Sequence, residues 1–183
     1  MNRLTPLLEV SLILLCMVTA FTDIRSRRIP NWAVVAGAFA GLAGNTYASG
    51  WIGLKSALLG FLCAFAVYVP LYLLQGRGAG DLKLMAAIGT IIGIPNWFFM
   101  LIITSIFGGI VAVGYLLLRG GLWRALGNSV YIVKELLFLR SPSTGRPELS
   151  IDNAKALTMP HGVVVAISAF LFLWLTHLLP AKY

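Results

Sequence analysis

Six apolar runs, separated by short polar or glycine-marked stretches, leave this sequence few ways to fold. They fall at roughly residues 5–22, 32–48, 54–74, 82–94, 97–118 and 161–179. A helix that crosses a bilayer needs about 20 mostly apolar residues, and most of the runs have that length. The chain of 183 residues is 59% hydrophobic and only 11% charged, with a mean hydropathy of +0.89. A soluble domain of this size cannot bury so much apolar surface, because its own surface is too large relative to its volume. In lipid the backbone must pair within each spanning segment, and helices do that. The expectation is an all-α membrane protein: one domain over residues 1–183, with about six transmembrane helices.

The net charge of +8 points to orientation rather than to nucleic acid, since the basic residues lie between the apolar runs. One side of the expected topology collects Arg25, Arg27, Arg28, Arg77, Lys83, Arg119, Arg124, Lys134, Arg140, Arg146 and Lys155. The other collects Arg3, Lys55 and Lys182. This 11-to-3 division places the basic loops in the cytoplasm and both termini outside. The first run has an alternative reading as a signal peptide, with Val18-Thr19-Ala20 before a cleavage point. Glu9 inside that run and the charged residues after it favour a retained helix. Cys16 and Cys63 lie within apolar runs, without paired-cysteine or histidine spacing, and read as small core residues.

Two stretches break the pattern. The run from Leu82 to Ile94 has 13 residues, about 20 Å of helix against a hydrocarbon core of about 30 Å. Either the bilayer thins there, or the Gly76–Gly80 segment lies below the membrane surface beside a wet cavity. The second stretch is 122–139. Leu122, Leu126, Val130, Val133 and Leu137 recur at helical spacing, opposite Arg124, Asn128, Tyr131 and Glu135. That pattern predicts an amphipathic helix lying on the membrane within the long cytoplasmic loop. Residues 140–152 read as a loop, and Pro160 is placed to open the last helix.

Six carboxylates are available: Glu9, Asp23, Asp81, Glu135, Glu148 and Asp152. Asp23 and Asp81 alone sit at ends of expected spans, and both fall on the basic side. Ionisable groups at membrane depth are costly and face a bundle interior or a water path. Two carboxyls that meet there share one proton, so that one activates water while the other donates to a carbonyl oxygen. Plainer roles exist for each. Asp81 suits a helix N-cap, and Asp23 suits a helix end paired with Arg25 or Arg27.

The surroundings narrow the choice. Gly78-Ala79-Gly80-Asp81 has the GxGD form of intramembrane aspartyl proteases, and the longer GAGDLKLMAAIG string over 78–89 resembles the second-aspartate motif of prepilin peptidases. DIRSRRIPN over 23–31 resembles the first-aspartate motif of that family. Met159-Pro160 and Gly162-Val163 resemble the proline-glycine motif that opens its last helix, although His161 stands where an aromatic is usual. The Tyr-Asp pair and Pro-Ala-Leu motif of presenilin-like proteases are missing. The resemblance implies an aspartic endopeptidase with Asp23 and Asp81 catalytic and no cofactor or metal. It also implies that Gly78 and Gly80 present Asp81 on flexible, close-packed backbone. Lys83 is placed to tune the pair or hold substrate, or to serve as a positive-inside flank.

Larger members of the family carry a methyltransferase region with paired cysteines near the N-terminus, and this sequence has neither those cysteines nor that length. It looks like the peptidase-only type found with tight-adherence (Flp) pili, in the bacterial inner membrane. The implied substrates are Flp-type prepilins and pseudopilins, cut at the cytoplasmic face after a glycine, just before their hydrophobic helix. Two other classes compete. A small proton- or cation-coupled transporter would use the same aspartates as a relay. A structural subunit would use Gly108, Gly109 and Gly114 as a helix-packing face.

Overall fold

The computed structural model describes residues 3–73, 78–119, 122–138 and 161–178, and among these it is helical without strands. α1 (Pro6–Ser26) starts at Thr5, with Pro6 in the first turn, where a missing N–H costs nothing. It stops at Arg27, whose left-handed backbone (φ 50°) lets its N–H donate to the Asp23 carbonyl at 2.9 Å. Pro30 then opens α2 (Asn31–Leu73), its carbonyl accepting from the N–H groups of Ala33 and Val34. α3 covers Ala79–Arg119, α4 Leu122–Leu137 and α5 His161–Leu178. Four of these (α1, α2, α3 and α5) are long and apolar enough to cross a membrane, where the sequence pattern predicts six spans.

The difference lies in α2 and α3, whose 43 and 41 residues each contain a backbone break. In α2 it falls at Ser49–Gly50, with φ 55° at Gly50. In α3 it falls at Gly93, where φ 71° and ψ 174° suit glycine and strain any residue with a Cβ. The chain folds back at both. The Trp97 indole N–H donates to the Met85 carbonyl at 3.1 Å, though twelve residues of straight helix would hold them about 18 Å apart. The sequence pattern puts the turns at 48–53 and at Pro95–Asn96. The first break is narrower than that, and the second comes earlier, because only Gly93 tolerates the required φ while Pro95 starts the next helical arm.

The first arm of α3 is the centre of the molecule. Leu84, Met85, Ile88 and Ile91 are fully buried among residues of α1, α2 and α5. α2 meets it through glycine. A Cβ on Gly60 would fall on the Gly89 carbonyl oxygen, and a Cβ on Gly89 on that of Gly60. A Cβ on Gly41 would lie 2.6 Å from the Thr90 hydroxyl. The Asn45 amide donates to the carbonyls of Thr90 (2.9 Å) and Ile91 (3.1 Å), just before the break that deprives this turn of its helical partners. Outward-facing positions are apolar as well, Phe39, Ile52, Leu62, Ile106 and Trp174 among them, as a bilayer solvent requires. Cys16 is buried and Cys63 half-buried, and both are free thiols. Among the described residues α4 meets only α3, and its Val130, Val133 and Leu137 are exposed. The expected loop at 140–152, Gly76 and Pro160 lie outside the described residues.

Candidate active site

Asp23 occupies the last turn of α1, buried to 8% exposure. Its Oδ2 accepts the backbone N–H of Gly162, the second residue of α5, at 2.7 Å. The first N–H groups of a helix have no intrahelical acceptor, so this amide is free to serve a carboxylate from another helix. Thr19, one turn earlier on the same face, turns its hydroxyl back to the Leu15 carbonyl at 2.8 Å and is satisfied within α1.

Asp81 is the third residue of α3, half-buried, and lies inside the first turn rather than at the N-cap. The Leu82 N–H reaches back to the Gly78 carbonyl, which puts the start of the helix at Gly78.

The two aspartates, 58 positions apart in sequence, line one polar cavity of about 340 Å³. Gly78, Gly80 and Lys83 line it with them, so all five residues singled out in the sequence meet at one place. The rest of the wall is Arg27, Arg28, Ile29 and Asn31, all from the stretch that carries Asp23. Lys83 Nζ donates to Asn31 Oδ1 at 3.1 Å, tying the start of α3 to the start of α2. Arg27 and Arg28, read from sequence as orientation residues, and Asn31, the last residue of the first-aspartate string, are therefore also wall residues. Their place within the nine-residue motif that begins at Asp23 is the signal that marked them. Among the described residues Gly78 and Gly80 are not close-packed: an added Cβ meets nothing within 4 Å at Gly78 and only ordinary contacts with Ile29, at 3.5 Å, at Gly80. What they leave is open space beside Asp81.

Among the described residues the other carboxylates, Glu9 and Glu135, do not line this cavity. Glu9 Oε1 lies 3.2 Å from His177 Nε2, linking the start of α1 to the end of α5. Glu135 is on α4, and Glu148 and Asp152 lie outside the described residues. A second crevice, about 190 Å³ between α1 and α2, is lined by apolar residues and Ser11 and holds no titratable group. Among the described residues no three His, Cys, Asp or Glu side chains come together to hold a metal ion. A cavity that is polar, cationic at its rim and furnished with two carboxyls is suited to acid–base chemistry on a polar substrate.

Comparison with known proteins agrees with this chemistry. The chain is 31% identical over 106 residues to the prepilin leader peptidase/N-methyltransferase of Aeromonas salmonicida strain A449, and equally to the protein of that name from Aeromonas salmonicida. The alignments cover 54% of this chain and 36% of each relative, so the chain spans about a third of the length of the curated relatives it matches. No solved structure matches it. The model of the type IV leader peptidase family matches residues 10–113 of the 183, from α1 into the second arm of α3, with Asp23 and Asp81 both inside. Matched over more than half its length, the chain belongs to the type IV leader peptidase family.

Proposed function

We propose that this protein is an intramembrane aspartyl endopeptidase that removes the short leader from Flp-type prepilins and pseudopilins at the cytoplasmic face of the bacterial inner membrane. The observation that carries the reading is the convergence of Asp23 and Asp81 on one polar cavity. In the working pair one carboxylate takes a proton from water as the oxygen attacks the scissile carbonyl. The other carboxylic acid gives its proton to the carbonyl oxygen. Collapse of the tetrahedral adduct returns one proton to the acid and sends one to the leaving amine. Gly78 and Gly80 leave room for a substrate backbone to approach Asp81. Lys83, held by Asn31, fixes the mouth of the cavity.

Six membrane segments go with this reading: α1, the two arms of α2, the two arms of α3, and α5. Its support is the break in each long helix, since an unbroken helix of 43 residues would run about 65 Å, twice the hydrocarbon core. The 11-to-3 charge division supports a cytoplasmic position for both aspartates, with α4 lying on that surface through Val130, Val133 and Leu137. Purified protein mixed with an Flp-type prepilin in detergent should release mature pilin, identified by its new N-terminus. A parent protein that cuts no prepilin would refute the assignment. Reporter fusions test the topology separately. One at Gly50 should read as external and one after Phe138 as cytoplasmic, and the opposite pattern would invert the placement of both aspartates.

A further inference from the structure

The family match ends at residue 113, yet the Asp23 carboxyl accepts a hydrogen bond from residue 162, on α5. Gly162 is itself buried, and its N–H reaches Asp23 Oδ2 at 2.7 Å. The fit has no slack. A Cβ on residue 162 would lie 3.1 Å from Asp23 Cβ, 3.1 Å from Asp23 Oδ2 and 3.2 Å from the Thr19 carbonyl oxygen. Two of those three atoms belong to the body of α1: a backbone carbonyl and the first side-chain carbon one turn later. They cannot yield as a flexible side-chain end would. A methyl group there separates α5 from α1 and draws the N–H away from the carboxyl.

We propose that the Gly162 N–H is the positioning donor of the active site: it holds Asp23 Oδ2, leaves Oδ1 to serve the cavity, and requires glycine at residue 162. The proposal rests on the catalytic reading of Asp23. It makes Gly162 a positioning residue, since it acts through Asp23 and lines no part of the cavity. Displacement of a catalytic group by about 1 Å costs on the order of 100-fold in rate, and the few tenths of an ångström that a methyl demands here set an expected loss of about tenfold.

Two measurements on the full-length protein test it. With ¹⁵N-glycine labelling in detergent, the Gly162 amide proton should resonate well downfield in the parent and in Asp81→Asn. It should return to the ordinary amide range in Asp23→Ala, which removes the acceptor. In prepilin cleavage, Gly162→Ala should lower kcat about tenfold and leave KM within about twofold. Gly108→Ala is the packing control, because its methyl faces α5 at Val164 with an ordinary 3.5 Å contact, and it should keep the parental kcat. An amide resonance that ignores Asp23→Ala overturns the proposal, and so does a Gly162→Ala enzyme with parental kcat. If Gly162→Ala does not fold, the resonance in Asp23→Ala decides alone. The two readings fail in different ways. Cleavage that survives Asp23→Asn sinks the catalytic assignment, whereas a dead Asp23→Asn together with a Gly162 amide that ignores Asp23→Ala sinks only the positioning role.

Discussion

Where α2 crosses α3, a methyl added to Gly60 or Gly89 lands on the opposite backbone carbonyl, whereas beside the polar cavity a methyl added to Gly78 meets none of the described residues within 4 Å. Both regions are rich in glycine for opposite reasons. At the crossing, glycine lets two backbones touch, so that the central arm of α3 is enclosed and Asn45 can reach its carbonyls. At the cavity, glycine keeps space empty beside a carboxyl. The first use concerns stability and the second concerns what enters. Substitutions in the two regions should therefore fail in different assays.

The largest effect is expected from the carboxyls of the open region. Asp23→Asn and Asp81→Asn should each lower cleavage by at least about 10³-fold, with the protein still accumulating in the membrane. The double variant should be no worse than either single one, because the pair acts as a unit. Robust cleavage by either variant at normal expression would break the comparison at its functional end. At the crossing, Gly60→Ala and Gly89→Ala should cost up to about 3 kcal/mol of stability, seen as a lower Tm in detergent, with near-parental turnover per folded molecule. Gly78→Ala should do the reverse, with Tm unchanged and kcat/KM down about tenfold as the methyl takes up substrate space. Equal Tm losses at Gly78 and Gly89 would show that the two regions do not differ. Asn45→Ala should remove about 1–2 kcal/mol without touching KM, because it unclasps the turn before Gly93 but leaves the cavity alone. The smallest change is expected from Glu9→Gln. A partly exposed pair with His177 is worth less than about 1 kcal/mol, and cleavage should be unaffected.

The comparison also separates what the sequence made legible from what it hid. Apolar runs report where helices lie, because each run needs only its own length and composition. For that reason α1, α4 and α5 match the pattern to within a few residues. The aspartate motifs were legible because each is a contiguous string, and a turn such as Arg27–Pro30 is written locally in its residues. The Gly60–Gly89 crossing, the Asn45 clasp and the contact between Asp23 and Gly162 were not legible. Each depends on how two helices are rotated against each other, and hydropathy carries no record of rotation when every face is apolar. Gly78 and Gly80 show the same limit from the other side, since a glycine string does not reveal whether it is crowded or vacant.

α1 and α5 are joined at both ends, by Asp23 with Gly162 and by Glu9 with His177, so they run antiparallel. The two joints lie fourteen residues apart on α1, about 21 Å. Buried rows including Leu12, Leu15 and Thr19 on α1 and Val165, Ala169 and Phe172 on α5 fill the length between them. Sliding one helix along the other would strain both joints at once, and twisting would pry the buried rows apart. The pair therefore behaves as a stiff strut with Asp23 fixed at its tip. Asp81 sits in the first turn of α3, where Lys83 is tied to Asn31 at the start of α2. Asp23, held at the tip of this strut, is the fixed point against which the position of Asp81 is set.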